Sequence, residues 1–269
     1  MSQNQTAIET NKNKQKKEKR ELHVGWLGRM FIRPKSTMEK VVATEKSVWL
    51  LPLLVLTILV LVATVIGGPV RRATIEASMQ QPPDDFQYWS DTDQQAYFQS
   101  QQNSLSPLFI YVFPALEDAA GFWIVWALFT SVLHLTLTLR GSRASQGRYG
   151  NLVAWAMVPF ILRVIVQILN LVINKSAETV LPPHAAWIPA DATGIMAFLR
   201  GAMGAMDAYW VLFAVLVIMG TVALSGLKTS KAVGSALIAL GIMLLLYGLP
   251  ALAGSVLGGL SGTGGGFYF

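Results

Sequence analysis

The chain has 269 residues, of which 53% are hydrophobic and only 13% charged, about half the ~25% charged share of a soluble domain. So few charges cannot clothe a water-exposed surface, and the composition describes an all-α, multi-pass membrane protein. The absence of cysteine excludes disulfide scaffolds, thiolate metal sites, cysteine nucleophiles and lipidated cysteines.

Residues 1–21 read as a disordered basic cytoplasmic tail. Lys12, Lys14, Lys16, Lys17, Lys19 and Arg20 stand among Asn and Gln, with too little apolar surface to order the segment. Such a tract suits anionic lipid. Nucleic acid is not an expected partner, because no aromatic interleaving or recognition fold accompanies the charge. The first apolar run begins only at Val48, too late for a cleaved leader, so it reads as an uncleaved anchor.

Residues 22–47 predict two short cytoplasmic helices. Trp26, Leu27, Met30 and Phe31 fall on one apolar face, with Arg29 and Arg33 off it. Pro34 ends the first helix. Ser36-Thr37-Met38-Glu39 has the spacing of a capping box and predicts a second helix through Val41 and Val42. The pair is expected as an interfacial amphipathic anchor, or equally as an elbow packed under the bundle.

Residues 48–258 predict a membrane domain of five transmembrane helices, at 48–67, 119–139, 152–173, 209–227 and 232–257. The second span has an alternative, earlier start within 109–114. The link between the last two is so short that they form an antiparallel hairpin. Of the 21 Lys and Arg, 16 fall on the side of the N-terminus and four (Arg71, Arg72, Lys175 and Arg200) on the other, with Arg163 between them. The positive-inside rule then puts the N-terminus in the cytoplasm and the C-terminus outside.

Two outer loops are predicted, at 69–114 and 174–208. In the first, Ser90 or Asp91 caps a helix through 94–101. Phe86, Tyr88, Trp89, Tyr97 and Phe98 suit either a partner contact or a lid resting on the membrane. Asn174-Lys175-Ser176 matches a glycosylation acceptor.

Two segments resemble a known family. The run Gly28-Arg-Met-Phe-Ile-Arg-Pro34, then Thr37 and Glu39, then Ser47-Val-Trp-Leu-Leu-Pro-Leu53 resembles the opening of bacterial Yip1-domain proteins. Gly150-Asn-Leu-Val-Ala-Trp-Ala-Met-Val-Pro159 is similar to that family's entry into its third span. The resemblance covers roughly 28–250 and implies five spans, a cytoplasmic N-terminus, a bacterial inner membrane and no reaction. The Asp-Leu-Tyr/Trp-Gly-Pro signature of the eukaryotic branch is not present.

The most pointed intramembrane residue is Arg163, about 18 Å past Asn151 at ~1.5 Å per residue. Gln167, Asn170 and Asn174 follow it on one helix face. A charge at that depth costs about 2.5 kcal/mol or more, so the stripe must face the bundle or a wet cavity. It reads as a crevice for an anionic headgroup or solute, or as an ion pair with an acid such as Glu117 or Asp118. Pro159, four residues earlier, frees the carbonyl of Trp155 and predicts a kink. His134, with Ser131 and Thr138, reads as an interhelical contact.

In the fifth span Gly254 and Gly258 have the small-xxx-small spacing of close helix approach, for packing within the chain or between copies. Residues 259–269 form a Gly-rich tail ending in the aromatic anchor Phe267-Tyr268-Phe269. No phosphate loop, nucleophile elbow or paired intramembrane carboxylates occur. His23, His134 and His184 lie on three separate elements, so no metal, cofactor or catalysis is expected. The reading is a non-enzymatic scaffold or adaptor that binds lipid and other membrane proteins. The alternative is an accessory or solute-handling subunit of a transport complex, such as an ABC-type efflux system.

Overall fold

The computed structural model describes residues 23–80, 82–83, 85–175 and 182–261. The basic tail, Ser176 of the acceptor tripeptide and the terminal aromatics lie outside those residues. Among the described residues all regular structure is helical.

Two short helices, α1 (Val24–Ile32) and α2 (Pro34–Ala43), precede the long α3 (Leu50–Met79). They lie at what is here termed the proximal end of the bundle, the end at which α3 begins. Then come α4 (Asp91–Ser104) and a π-helical turn over Leu108–Val112 that runs into α5 (Phe113–Thr138). Helices α6 (Gln146–Ala156) and α7 (Val158–Asn174) follow, then α8 (Gly194–Gly204), α9 (Ala208–Leu224) and α10 (Thr229–Ser261). Four stretches are long and apolar enough to cross a membrane: Leu50–Ala77, Leu108–Thr138, Gln146–Asn174 and Thr229–Val256. Helices α8 and α9 make a fifth when counted together, although the chain bends by 72° between them.

Proline sets two of the breaks. Pro34 opens α2 at its first position, where its fixed φ is already helical and its missing N–H costs nothing. The capping box expected at Ser36 is therefore not formed. The helix starts two residues earlier, and the hydroxyls of Ser36 and Thr37 donate back to the carbonyl of Arg33 at 3.3 and 2.9 Å. Pro159 splits the third span into α6 and α7 at Met157, where the predicted kink falls. Pro69, by contrast, sits inside α3, which continues well beyond the expected end at 67.

The core gathers around α6. Tyr149 and the run from Leu152 to Val158 are buried, with Met38, Val41 and Val42 of α2, Leu53 and Leu56 of α3, Phe129 and Leu133 of α5, and Phe213 and Val217 of α9. A helix buried on every side from Tyr149 onward sits at the centre of the bundle. Gly220 of α9 permits a close crossing, since a Cβ there would meet Leu152 at 2.8 Å and Met38 at 3.1 Å. The last two spans form the expected hairpin, turned at Gly226 with φ +67°.

The second loop departs from its expectation. Residues 194–204, read only as part of the outer loop 174–208, form α8, which packs along the distal part of α10. In the first loop Ser90 caps α4 by accepting the N–H of Asp93 at 3.2 Å. The aromatics there pack on one another: Phe86 lies 5.5 Å from Trp89, 5.3 Å from Tyr97 and 5.4 Å from Phe98 between ring centroids.

Candidate functional site

Two polar assemblies interrupt the apolar bundle, one at the proximal end and one toward the distal end. The proximal assembly is built by the motif of α6. The Asn151 side chain accepts the N–H of Val48 at 2.9 Å and donates to the carbonyl of Lys46 at 2.8 Å. Trp155 donates its indole N–H to the carbonyl of Val48 at 3.0 Å. The non-helical approach to α3 thus has part-buried backbone groups bonded by side chains of α6. Arg148, one helical turn before Leu152, places Nε and Nη2 on the carbonyl of Val42 at 3.0 and 2.6 Å, tying down the end of α2. Gly150 leaves room for the Trp126 ring, whose N–H donates to the Gly150 carbonyl at 2.9 Å.

Helix α1 sits over this knot. Met30 is buried in the core, Trp26 and Leu27 pack against it, and the Trp26 ring lies 5.6 Å from Trp155. Phe31 of the predicted apolar face is exposed, as are Val24 and Ile32. Arg29 and Arg33 are exposed beside them. A platform results, with one side bound to the bundle and the other uncovered by protein.

The distal assembly centres on Arg163. Its Nε lies 3.1 Å from Oδ2 of Asp207, with both side chains partly covered. The expected partners, Glu117 or Asp118, are not the ones used, because α7 faces the start of α9 rather than the start of α5 at this level. Asp207 does two jobs: its Oδ1 accepts the Trp210 N–H at 2.8 Å and caps α9. Tyr247 of α10 lies within electrostatic reach of both charges. Down the stripe, Gln167 and Asn174 are exposed and Asn170 is partly buried, with Asn174 donating to Asn170 along the helix. The four residues share a face, but only Arg163 reaches a neighbouring helix through a polar bond among the described residues.

Sequence reasoning passed over Asp207 and Arg200. Asp207 stands immediately before the apolar run of α9, which is an N-cap signal. Arg200 lies in the segment taken as loop. Between α8 and α10 close approaches fall at Gly201 and Gly248. A Cβ on Gly248 would meet the Phe198 ring at 2.7 Å, and one on Gly201 would meet Cβ of Ala251 at 2.8 Å. Gly254 and Gly258 lie further along α10. His134 packs against Tyr149 at 5.4 Å between ring centroids, joining α5 to α6. No group of three or more His, Asp or Glu able to hold a metal occurs among the described residues.

An apolar helical bundle of this kind, with its polar groups spent on joining helices, is a multi-pass membrane protein. The model of the Yip1 domain matches residues 28–250, most of the chain, and the protein belongs to that family. No curated protein and no solved structure matches the chain.

Proposed function

We propose that this Yip1-domain protein is a non-enzymatic scaffold or adaptor that binds other membrane proteins, with α1 and α2 on the cytoplasmic face of a bacterial inner membrane. The observation that carries the reading is the platform of α1 and α2. Arg148 on the Val42 carbonyl and the packing of Met30, Trp26 and Leu27 hold it to the bundle, while Val24, Phe31 and Ile32 are exposed. A rigid support with an uncovered apolar edge and flanking basic residues is suited to docking at the headgroup level. The orientation rests on the 16 Lys and Arg expected on that side against four on the other.

The transport-accessory reading would use Arg163, Gln167 and Asn170 as the lining of a solute path. The bond from Arg163 to Asp207 favours a joint between α7 and α9 instead. Affinity purification in a mild detergent tests the adaptor reading. The wild-type chain is expected to retain a stoichiometric membrane protein, and Phe31→Asp with Ile32→Asp to lose it while staying folded. A wild-type chain that comes off alone, or a partner held equally by the double variant, would overturn it.

A further inference from the structure

The distal elbow between α8 and α9 carries a charge that the protein does not answer. Helix α9 has 17 residues, about 25 Å at ~1.5 Å per residue, against a hydrocarbon core of ~30 Å. Its first residue therefore sits at or just inside the distal boundary. A 72° bend separates it from α8, so the end of α8 that leads into the elbow lies at the same boundary. One side of α8 is pinned to α10 through Phe198 and Gly201, and Ser255 Oγ accepts the Gly194 N–H at 3.2 Å. The opposite side presents Ile195, Met196 and Leu199, which are 67%, 53% and 41% exposed, and Trp187 ahead of the helix is 80% exposed. Apolar side chains with no protein over them, on a helix lying at a bilayer boundary, mark an acyl contact.

Arg200 lies one turn after Met196, at the rim of that apolar side. Its Nη1 is buried and has no hydrogen-bond partner. The nearest acid in the sequence of this elbow, Asp207, has one oxygen on Arg163 and the other on the Trp210 N–H. A guanidinium always carries its charge, and a buried N–H of a charged group left without an acceptor is costly. The rest of the Arg200 side chain is partly exposed and meets no protein acceptor among the described residues, which leaves it open to an anionic acceptor approaching from the lipid side, with apolar chains to cover Met196 and its neighbours.

We infer that the α8–α9 elbow is a binding site for an anionic phospholipid, with the phosphate accepting from Arg200 and the acyl chains lying over Ile195, Met196 and Leu199. Planar guanidinium matches the oxygens of a phosphodiester in two bonds. The geometry also explains why the charge is Arg200 rather than a residue at the centre of the exposed side: there it would be forced into the acyl region. The inference rests on α8 lying at a bilayer boundary and is independent of which leaflet that is and of the adaptor reading.

Native mass spectrometry of the detergent-purified chain, titrated with phosphatidylglycerol or phosphatidylcholine, tests it. The wild type is expected to retain phosphatidylglycerol about tenfold more tightly than phosphatidylcholine, the size of one charge-assisted hydrogen bond. Arg200→Gln should abolish the preference and Arg200→Lys should keep part of it. Arg72→Gln, at an exposed pair with Glu76, should leave it intact. Should Arg200→Gln fail to fold, Met196→Asp carries the same test, since it sets a repelling carboxylate one turn from Arg200 and leaves the guanidinium in place. The proposal is overturned by a wild type without preference, by Arg200→Gln or a folded Met196→Asp that keeps it, or by Arg72→Gln losing as much as Arg200→Gln. Inorganic phosphate displacing the lipid at equal phosphate concentration would mark a free-anion site and overturn it as well.

Discussion

Asn151 holds the entry of the first span with two hydrogen bonds to backbone, one to Val48 and one to Lys46. Removing both by Asn151→Ala takes two hydrogen bonds from part-buried backbone, at a cost of about 1–3 kcal/mol. The expected outcome is a lower unfolding midpoint in detergent, with faster amide exchange at residues 46–49. Arg163 gives a second, different prediction. Arg163→Leu leaves Asp207 with one oxygen unpaired in an apolar setting, and the midpoint is expected to fall. Both side chains are partly exposed, so the loss belongs toward the lower end of about 1–3 kcal/mol. Combining it with Asp207→Asn should recover part of the loss, because the orphaned charge is then gone. A double-mutant cycle measures the coupling, and an additive result would show that the pair does not join α7 to α9.

Helix by helix, the apolar runs were legible because an 18-residue stretch without charge has few alternatives to a span. Pro34 and Pro159 marked real breaks, since a missing N–H acts locally. The partner of Arg163 was not legible. Pairing depends on which helix faces α7 at that level, and no spacing within the sequence contains that. Helix α8 was missed because Gly194, Gly201 and Gly204 dilute its apolar pattern. Two of those glycines look toward α10: Gly194 donates to Ser255, and Gly201 meets Ala251. Gly201→Leu is expected to overpack that contact by about 1–3 kcal/mol and free α8. Amide exchange should rise across 194–204 and stay unchanged across α6, whose packing lies elsewhere.

For the whole molecule, five crossings place the two loops 139–145 and 225–228 on the same side as α1 and α2. Because the chain contains no cysteine, any single introduced thiol reports its own side of the membrane. Ser36→Cys, exposed on α2, is expected to react with an impermeant maleimide only after cells are opened. Ser100→Cys, exposed on α4, should react in intact cells. The reverse pattern would invert the topology while leaving the fold untouched. The Gly150–Pro159 run would be read the same way in either case, because Asn151 and Trp155 are occupied in holding the proximal end together.

The seat of α8 on α10 has a consequence for assembly. Ribosomes deliver α8 well before the distal part of α10, the surface that Phe198 and Gly201 grip. Until the final helix has emerged and turned at Gly226, the elbow has nothing to lean on. Nascent chains stalled before residue 240 should therefore expose residues 188–206 to added protease, and full-length chains released from the ribosome should protect them. The last helix to be made acts as the latch for one made earlier, so biogenesis finishes at the distal end.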